Sequence, residues 1–168
     1  GDFFVSCNFS RNTFVAKNFA DKCIEIIDRY EFPREELILE ITESVAIIDY
    51  DTMYYNAKRM KEYGTSIALD DFGSGSASFF DLKKYKFDGL KIDKDLVKHL
   101  STKEGEIILS GLIDIGHKLN MTVLAEGAET KEQVDKLVKI NCDVIQGFYF
   151  YKPMPVYEAK KYLYIRND

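Results

Sequence analysis

The chain has no tryptophan and only 3 prolines, 3 cysteines and 2 histidines among its 168 residues, and each scarcity removes a class of explanation. No proline-rich linker, low-complexity tract or shift in composition divides it, so residues 1–168 read as one unit. Cys7, Cys23 and Cys142 are odd in number, widely spaced and without a C-x-x-C pair. That pattern argues against a disulfide framework or a structural zinc site and predicts reduced, mostly buried thiols. His99 and His117 have no partner at ligand spacing, so ordinary surface or core roles are expected for both. Basic charge is also short. With 23 Lys and Arg against 28 Asp and Glu, a net charge of −5 and a pI near 5.2, sequence-independent binding to DNA or RNA is not expected, because such binding draws on phosphate neutralisation by Lys and Arg. No apolar run approaches membrane-spanning length, and the opening GDFFVSCNFS lacks the basic start and long apolar segment of a signal peptide. The expected compartment is the cytoplasm, with room for a membrane anchor elsewhere in a longer parent.

What is present suits a folded core: 46% of residues are hydrophobic and 30% charged. Short apolar runs rich in β-branched or aromatic residues fall at 3–7, 37–41, 66–69, 89–92, 122–125 and 143–145, and read as buried strands. Between them, the segments 12–30, 51–63, 103–119 and 131–140 repeat apolar residues every three or four positions, the stripe of a surface helix. Ser10 and Thr130 are candidate N-caps. Strands alternating with helices predict a parallel sheet covered on both faces. Periodicity alone leaves two architectures open, a doubly wound sheet or a closed barrel, and six strands are two short of a (β/α)8 barrel.

The chemistry gathers at the strand ends. Asn8 closes the first run, Glu40 and Glu43 the second, Asp70 and Asp71 the third, Lys91 and Asp93 the fourth, Glu126 the fifth and Gln146 the sixth. Parallel α/β folds place all carboxyl ends of their strands on one face, so these groups are expected to converge. Converging acids repel unless protonated or neutralised by a cation. A donor set of oxygens without His or Cys favours hard ions such as Mg2+ or Mn2+. Adjacent Asp carboxylates suit two ions, and two-ion sites suit attack of water on a phosphodiester, with Lys91 orienting the water or balancing charge. One acid at a strand end is ordinarily a helix cap or a solvated loop residue. It is the co-occurrence at six strand ends that gives the pattern weight. Asp93 and Glu43 fit an outer shell or a purely structural role equally well. The Gly73-Ser74-Gly75-Ser76 stretch offers backbone amides to a phosphate but lacks the full P-loop spacing.

Asn8 in VSCNFS, Glu40 in LEITES, Asp70 and Asp71 in DDFGSGSAS, Lys91 in LKID, Glu126 in AEGAET and Gln146 in QGFYFYKPMP resemble, in order, the signatures of EAL domains. The likeness runs from near the first residue to about Pro155. It implies a TIM-like (β/α)8 barrel of the EAL type whose six counted strands correspond to the third to eighth. It also implies hydrolysis of cyclic-di-GMP to linear pGpG with Mg2+ or Mn2+ in a two-metal site. By the same likeness Asn8, Glu40, Asp70, Asp71 and Glu126 hold metal, Lys91 and Gln146 position the attacking water, and Glu129 anchors the loop that begins at Asp71. Asp71 and Glu126 thereby join Lys91 and Gln146 in the catalytic set, and Gly73, Ser74, Gly147 and Pro153 are the expected substrate contacts.

Departures from the family pattern are specific. The glutamate of the E-A-L signature and its nearby arginine have no counterpart, so the chain is expected to begin mid-domain and to hold the C-terminal three-quarters of the barrel. Ser74, Ser76 and Ala77 stand where the family usually has Thr, Tyr and Ser, and Ala128 replaces Val. The alternative function is a catalytically inactive EAL domain that acts as a cyclic-di-GMP receptor or protein-interaction module. Bare sheet edges predict a homodimer or other homo-oligomer and slow hydrolysis by this piece alone, and further signalling domains are expected in the parent protein.

Overall fold

The computed structural model describes residues 3–42, 49–74, 82 and 85–163. Six strands, β1 (Val5–Phe9), β2 (Leu37–Thr42), β3 (Ser66–Phe72), β4 (Gly89–Ile92), β5 (Thr122–Ala125) and β6 (Val144–Ile145), form one sheet. All five pairings are parallel and the spatial order is the chain order. A doubly wound sheet reverses direction at a switch point, whereas successive right-handed crossovers in unbroken order keep every helix on one face and roll the sheet toward a barrel. The order thus settles what periodicity left open. Among the described residues β1 and β6 are the two edges.

The helices are α1 (Arg11–Phe14), α2 (Phe19–Arg29), α3 (Tyr50–Tyr63), α4 (Lys94–Lys98), α5 (Lys103–Lys118), α6 (Lys131–Lys139) and α7 (Val156–Leu163). Strand alternation separates the two faces of the sheet. On the helix side, Leu39, Ile41, Ile67, Leu69, Leu90, Ile92, Val123 and Ala125 are at most 1% exposed, packed with Phe14, Met53, Met60, Leu109, Ile113 and Leu137. Burial of each large aliphatic side chain contributes about 1.5–3 kcal/mol, which makes this layer the main cohesive element. The other face carries Ile38, Ala68, Leu124 and Val144 around a hollow of about 230 Å3. Of the two architectures left open, the barrel type is the one present, and the second face is the concave inside of the rolled sheet.

Side-chain caps set the helix starts. Ser10 accepts from Thr13 N, Asp49 from Thr52 N, Thr102 from Gly105 N, and Thr130 forms a capping box with Gln133. The long helix expected over 12–30 is two helices. The Asn56 amide, buried in α3, donates to Phe14 O at 2.7 Å and to Ala16 O at 3.0 Å, taking up the carbonyls at the break. At the amino ends of the strands a local arrangement recurs. Asp88 accepts from Ile67 N at 3.0 Å and pairs with Lys61 at 2.6 Å, while Asp143 accepts from Val123 N at 2.7 Å and meets His117 Nε2 at 2.9 Å. Each aspartate thus satisfies the amide of the second residue of the preceding strand and ties it to the last turn of the helix that leads into that strand.

All three cysteines are free, as expected, but Cys7 is exposed and Cys23 and Cys142 are only partly buried. The reason for Cys7 is position: it lies on the edge strand β1. No helix among the described residues is long and apolar enough to cross a membrane.

Candidate active site

The carboxyl ends of five neighbouring strands deliver one polar side chain each to the concave face, and the registers explain why they meet. Asn8 is opposite Glu40 in β1 and β2. Glu40 lies one pleat from Asp70, because Thr42 pairs with Asp70. Lys91 of β4 lies opposite Leu124, two residues before Glu126. The Lys91 ammonium sits at the focus, bonded to Glu126 Oε1 at 2.6 Å, Glu40 Oε2 at 2.7 Å and Asp70 Oδ1 at 2.9 Å. Lys91, Glu40 and Asp70 are each about 5–6% exposed, so these are pairs whose loss costs far more than that of a surface salt bridge.

Consecutive residues of a regular strand point to opposite faces, yet the carboxylates of Asp70 and Asp71 come together. The β3–β4 register shifts between Leu69 and Phe72, and Asp71 adopts a left-handed backbone at φ 57°. A bulge of this kind re-aims a side chain, and a non-glycine residue held there marks a constrained site. As a result carboxylate oxygens of Asp70, Asp71 and Glu126 lie within 4.8 Å of one another. Burial, then the nearby Asp70 and Asp93, push the Asp71 carboxyl above the usual carboxylate range. Burial also raises Glu126, with Lys91 opposing. At Lys91 burial works against the charged form, but its hydrogen bonds to Glu126, Glu40 and Asp70 outweigh it and hold the ammonium above its ordinary pKa.

Charge and donor chemistry fit a divalent cation. Three carboxylates, Glu40, Asp70 and Glu126, meet one ammonium, and Asp71 stands beside Asp70 and Glu126, so among the described residues the acids outnumber the cation they contact. With its amide nitrogen turned inward, Asn8 donates to Asp70 Oδ2 at 2.9 Å and Glu40 Oε2 at 3.1 Å. The opposite amide orientation aims its oxygen at the same two carboxylates, an arrangement that needs an intervening cation or a proton on one of the carboxyls. Oxygen donors of this type suit Mg2+ or Mn2+.

The remaining expected residues fall around this centre. Gln146 and Glu129 do not join the ion-pair cluster; with Glu126, Gly147 and Pro153 they line an adjoining cleft of about 770 Å3. Gly147 lies against Ala128 so closely that a Cβ there would be 2.0 Å from Ala128 O and 2.4 Å from its N. Asp93 caps α4, its Oδ1 accepting from Asp95 N at 2.7 Å. Gly73 and Ser74 follow β3 and are exposed, with Ser74 N bonded to Asp71 O at 3.1 Å, and they do not line the cleft. Glu43, Gly75, Ser76 and Ala77 lie outside the described residues. His117 meets Asp143 at the amino ends of the strands, far in function from the acids, and His99 Nδ1 bonds Asp95 O at 2.6 Å. The sequence reading passed over Lys94, Lys98, Tyr151, Lys152 and Tyr162 on the cleft wall. The i,i+4 lysines after β4 and the aromatic-basic run after Gln146 were the available signals.

The EAL domain model matches residues 1–153. The chain is 33% identical over 160 residues to the probable cyclic di-GMP phosphodiesterase PdeG of Escherichia coli, covering 95% of this chain and 32% of PdeG. Among solved structures it resembles the EAL domain of Mycobacterium smegmatis DcpA, with a TM-score of 0.91 and 30% identity over 95% of this chain and 72% of that one. It also resembles the MucR phosphodiesterase in complex with c-di-GMP, with a TM-score of 0.84 and 31% identity over 93% of this chain and 64% of that one; MucR of Pseudomonas aeruginosa carries the name of a bifunctional diguanylate cyclase and phosphodiesterase. The chain spans from about a fifth to a third of the length of the first curated relatives it matches.

Proposed function

The chain belongs to the EAL domain family, and from that membership we propose that it carries the ion-dependent site of a cyclic-di-GMP phosphodiesterase, which opens one phosphodiester to give linear pGpG. The observation that carries the reading is the convergence of Glu40, Asp70 and Glu126 on Lys91, with Asp71 turned to the same face. Asn8, Glu40, Asp70, Asp71 and Glu126 hold Mg2+ or Mn2+, two ions in the intact domain. Ions held there would supply a water of lowered pKa and compensation for the phosphate charge.

The protein's own groups do the rest. Lys91, kept protonated, orients the attacking water and offsets the negative charge that grows on the phosphoryl oxygens. Gln146, in the cleft that Glu126 also lines, holds that water from the other side. Gly147 and Pro153 shape the cleft that receives the nucleotide, and Gly73 and Ser74 meet it from the β3 loop. Glu129 anchors that loop, while Asp93, through its cap on α4, and Glu43 support the outer shell. The protein functions within a longer signalling protein, as a homo-oligomer, and the 168-residue chain turns over more slowly than an intact family domain.

The test is chromatography of cyclic-di-GMP incubated with the parent protein and with this chain, in Mn2+ or Mg2+. Formation of pGpG that stops with EDTA and with Asp70→Asn supports the enzyme. Nucleotide that is bound but left uncut by the parent, with an unrelated active control cutting it, overturns the enzyme in favour of the receptor.

A further inference from the structure

The stretch from Glu126 to Thr130 carries two of the proposed site acids without regular structure of its own, and its backbone is tethered from two sides. On the sheet side, Glu126 N donates to Ile92 O at 3.1 Å, and buried Ala128 donates to Gln146 O at 3.1 Å and accepts from Tyr149 N at 3.0 Å. Between them Gly127 turns at φ 75°. On the helix side one side-chain oxygen takes both loop amides. Gln133 Oε1 accepts from Glu129 N at 2.8 Å and from Thr130 N at 3.0 Å, while Gln133 N donates to Thr130 Oγ1 at 3.2 Å.

A capping box requires only the reciprocal bonds between the N-cap and the third helical residue. The additional bond to Glu129 lies before the cap and satisfies none of the helix's own unpaired amides. Its effect is on the loop. We propose that Gln133 is a positioning residue for the ion site, fixing through Glu129 N and Thr130 N where Glu129 and Glu126 present their carboxylates. The inference rests on the ion-dependent reading above. Without the Gln133 oxygen, two adjacent amides lose their acceptor, and the segment is held on the sheet side alone, at Glu126 and Ala128, while α6 keeps its Thr130 cap.

The experiment is Mn2+ binding by electron paramagnetic resonance on the full chain, with folding checked by circular dichroism. Gln133→Ala, and Gln133→Met in case alanine fails to fold, are expected to weaken Mn2+ binding about tenfold, the scale of outer-shell losses at metal sites. Gln133→Glu keeps an acceptor oxygen and is expected to stay within about twofold of the unsubstituted chain. Thr130→Val removes the helix cap but not the two loop bonds, so it lowers the melting temperature and leaves Mn2+ affinity unchanged. Unaltered affinity in folded Gln133→Ala or Gln133→Met, or equal weakening by Thr130→Val, overturns the inference. An unsubstituted chain that binds no Mn2+ overturns the underlying ion reading instead, and this inference with it.

Discussion

Replacing Lys91 by methionine probes the centre of the site, because it removes the cation that, among the described residues, contacts Glu40, Asp70 and Glu126 while keeping the aliphatic stem. Breaking a single buried pair by deleting one partner costs about 3–5 kcal/mol, and here one ammonium serves three acids. The partial exposure of Glu126, 23% at its side chain, lets water recover some of that cost, so about 3–5 kcal/mol is the expected total at pH 7.5 with EDTA. With a urea slope of about 2 kcal/mol/M, the midpoint falls by roughly 1.5–2.5 M. The pH dependence has a definite sign. In the unsubstituted chain Lys91 has a raised folded pKa, so its contribution is complete below the unfolded value of about 10.4 and is lost as pH rises through the folded one. That alkaline loss should vanish in Lys91→Met. Glu126 and Asp71 also have raised folded pKa values, so the variant should regain stability as pH falls toward the ordinary carboxylate range near about 4, where the uncompensated acids take up protons. Added Mn2+ should likewise restore it at pH 7.5. Urea titrations across pH, with EDTA and with Mn2+, read all three effects. A variant as stable as its parent at pH 7.5, or indifferent to both acid and Mn2+, would refute the electrostatic reasoning.

Gly147→Ala should cost about 2–4 kcal/mol in denaturant unfolding and depress turnover, because the new methyl meets the Ala128 backbone at 2.0 Å and displaces the segment bearing Gln146; a neutral outcome would show that this contact yields. Asp143→Ala should lower the melting temperature by about 3–6 °C, from about 1–2 kcal/mol lost with the Val123 N bond. Asp143→Asn retains an acceptor and should lose under about 0.5 kcal/mol, since the His117 contact is solvent-exposed and of little worth. Equal losses in both variants would shift the stabilisation onto the His117 pair.

Much of the fold could be read from residue order because buried parallel strands are short and apolar. The expected 89–92 and 122–125 coincide with β4 and β5, and 66–69 falls short of β3 only where Asp70, Asp71 and Phe72 extend it through the bulge. The first strand sits two residues later than expected, since Phe3 and Phe4 precede it and Asn8 and Phe9 belong to it. Tertiary contacts caused the larger errors. The split between α1 and α2 depends on Asn56, which is 42 residues from Phe14, and no local pattern carries that information. At five residues α4 is too short for a periodic signal, and the sequence left Asp93 evenly between an outer-shell and a structural role because caps and outer-shell partners draw on the same side chains. The acids at strand ends were legible because parallel topology turns sequence order into spatial convergence. The three-way seating of Lys91 was not, since it depends on register and rotamer, and the cleft wall was missed because i,i+4 lysines and an aromatic-basic run are equally the pattern of an ordinary solvated surface.

Anomalous diffraction from crystals grown with Mn2+ tests the central claim most directly. The account predicts manganese peaks bounded by Asp70, Asp71 and Glu126, with the Asn8 oxygen turned inward and Lys91 released from at least one carboxylate. Manganese found only elsewhere, with Lys91 still bonded to Glu40, Asp70 and Glu126, would contradict it.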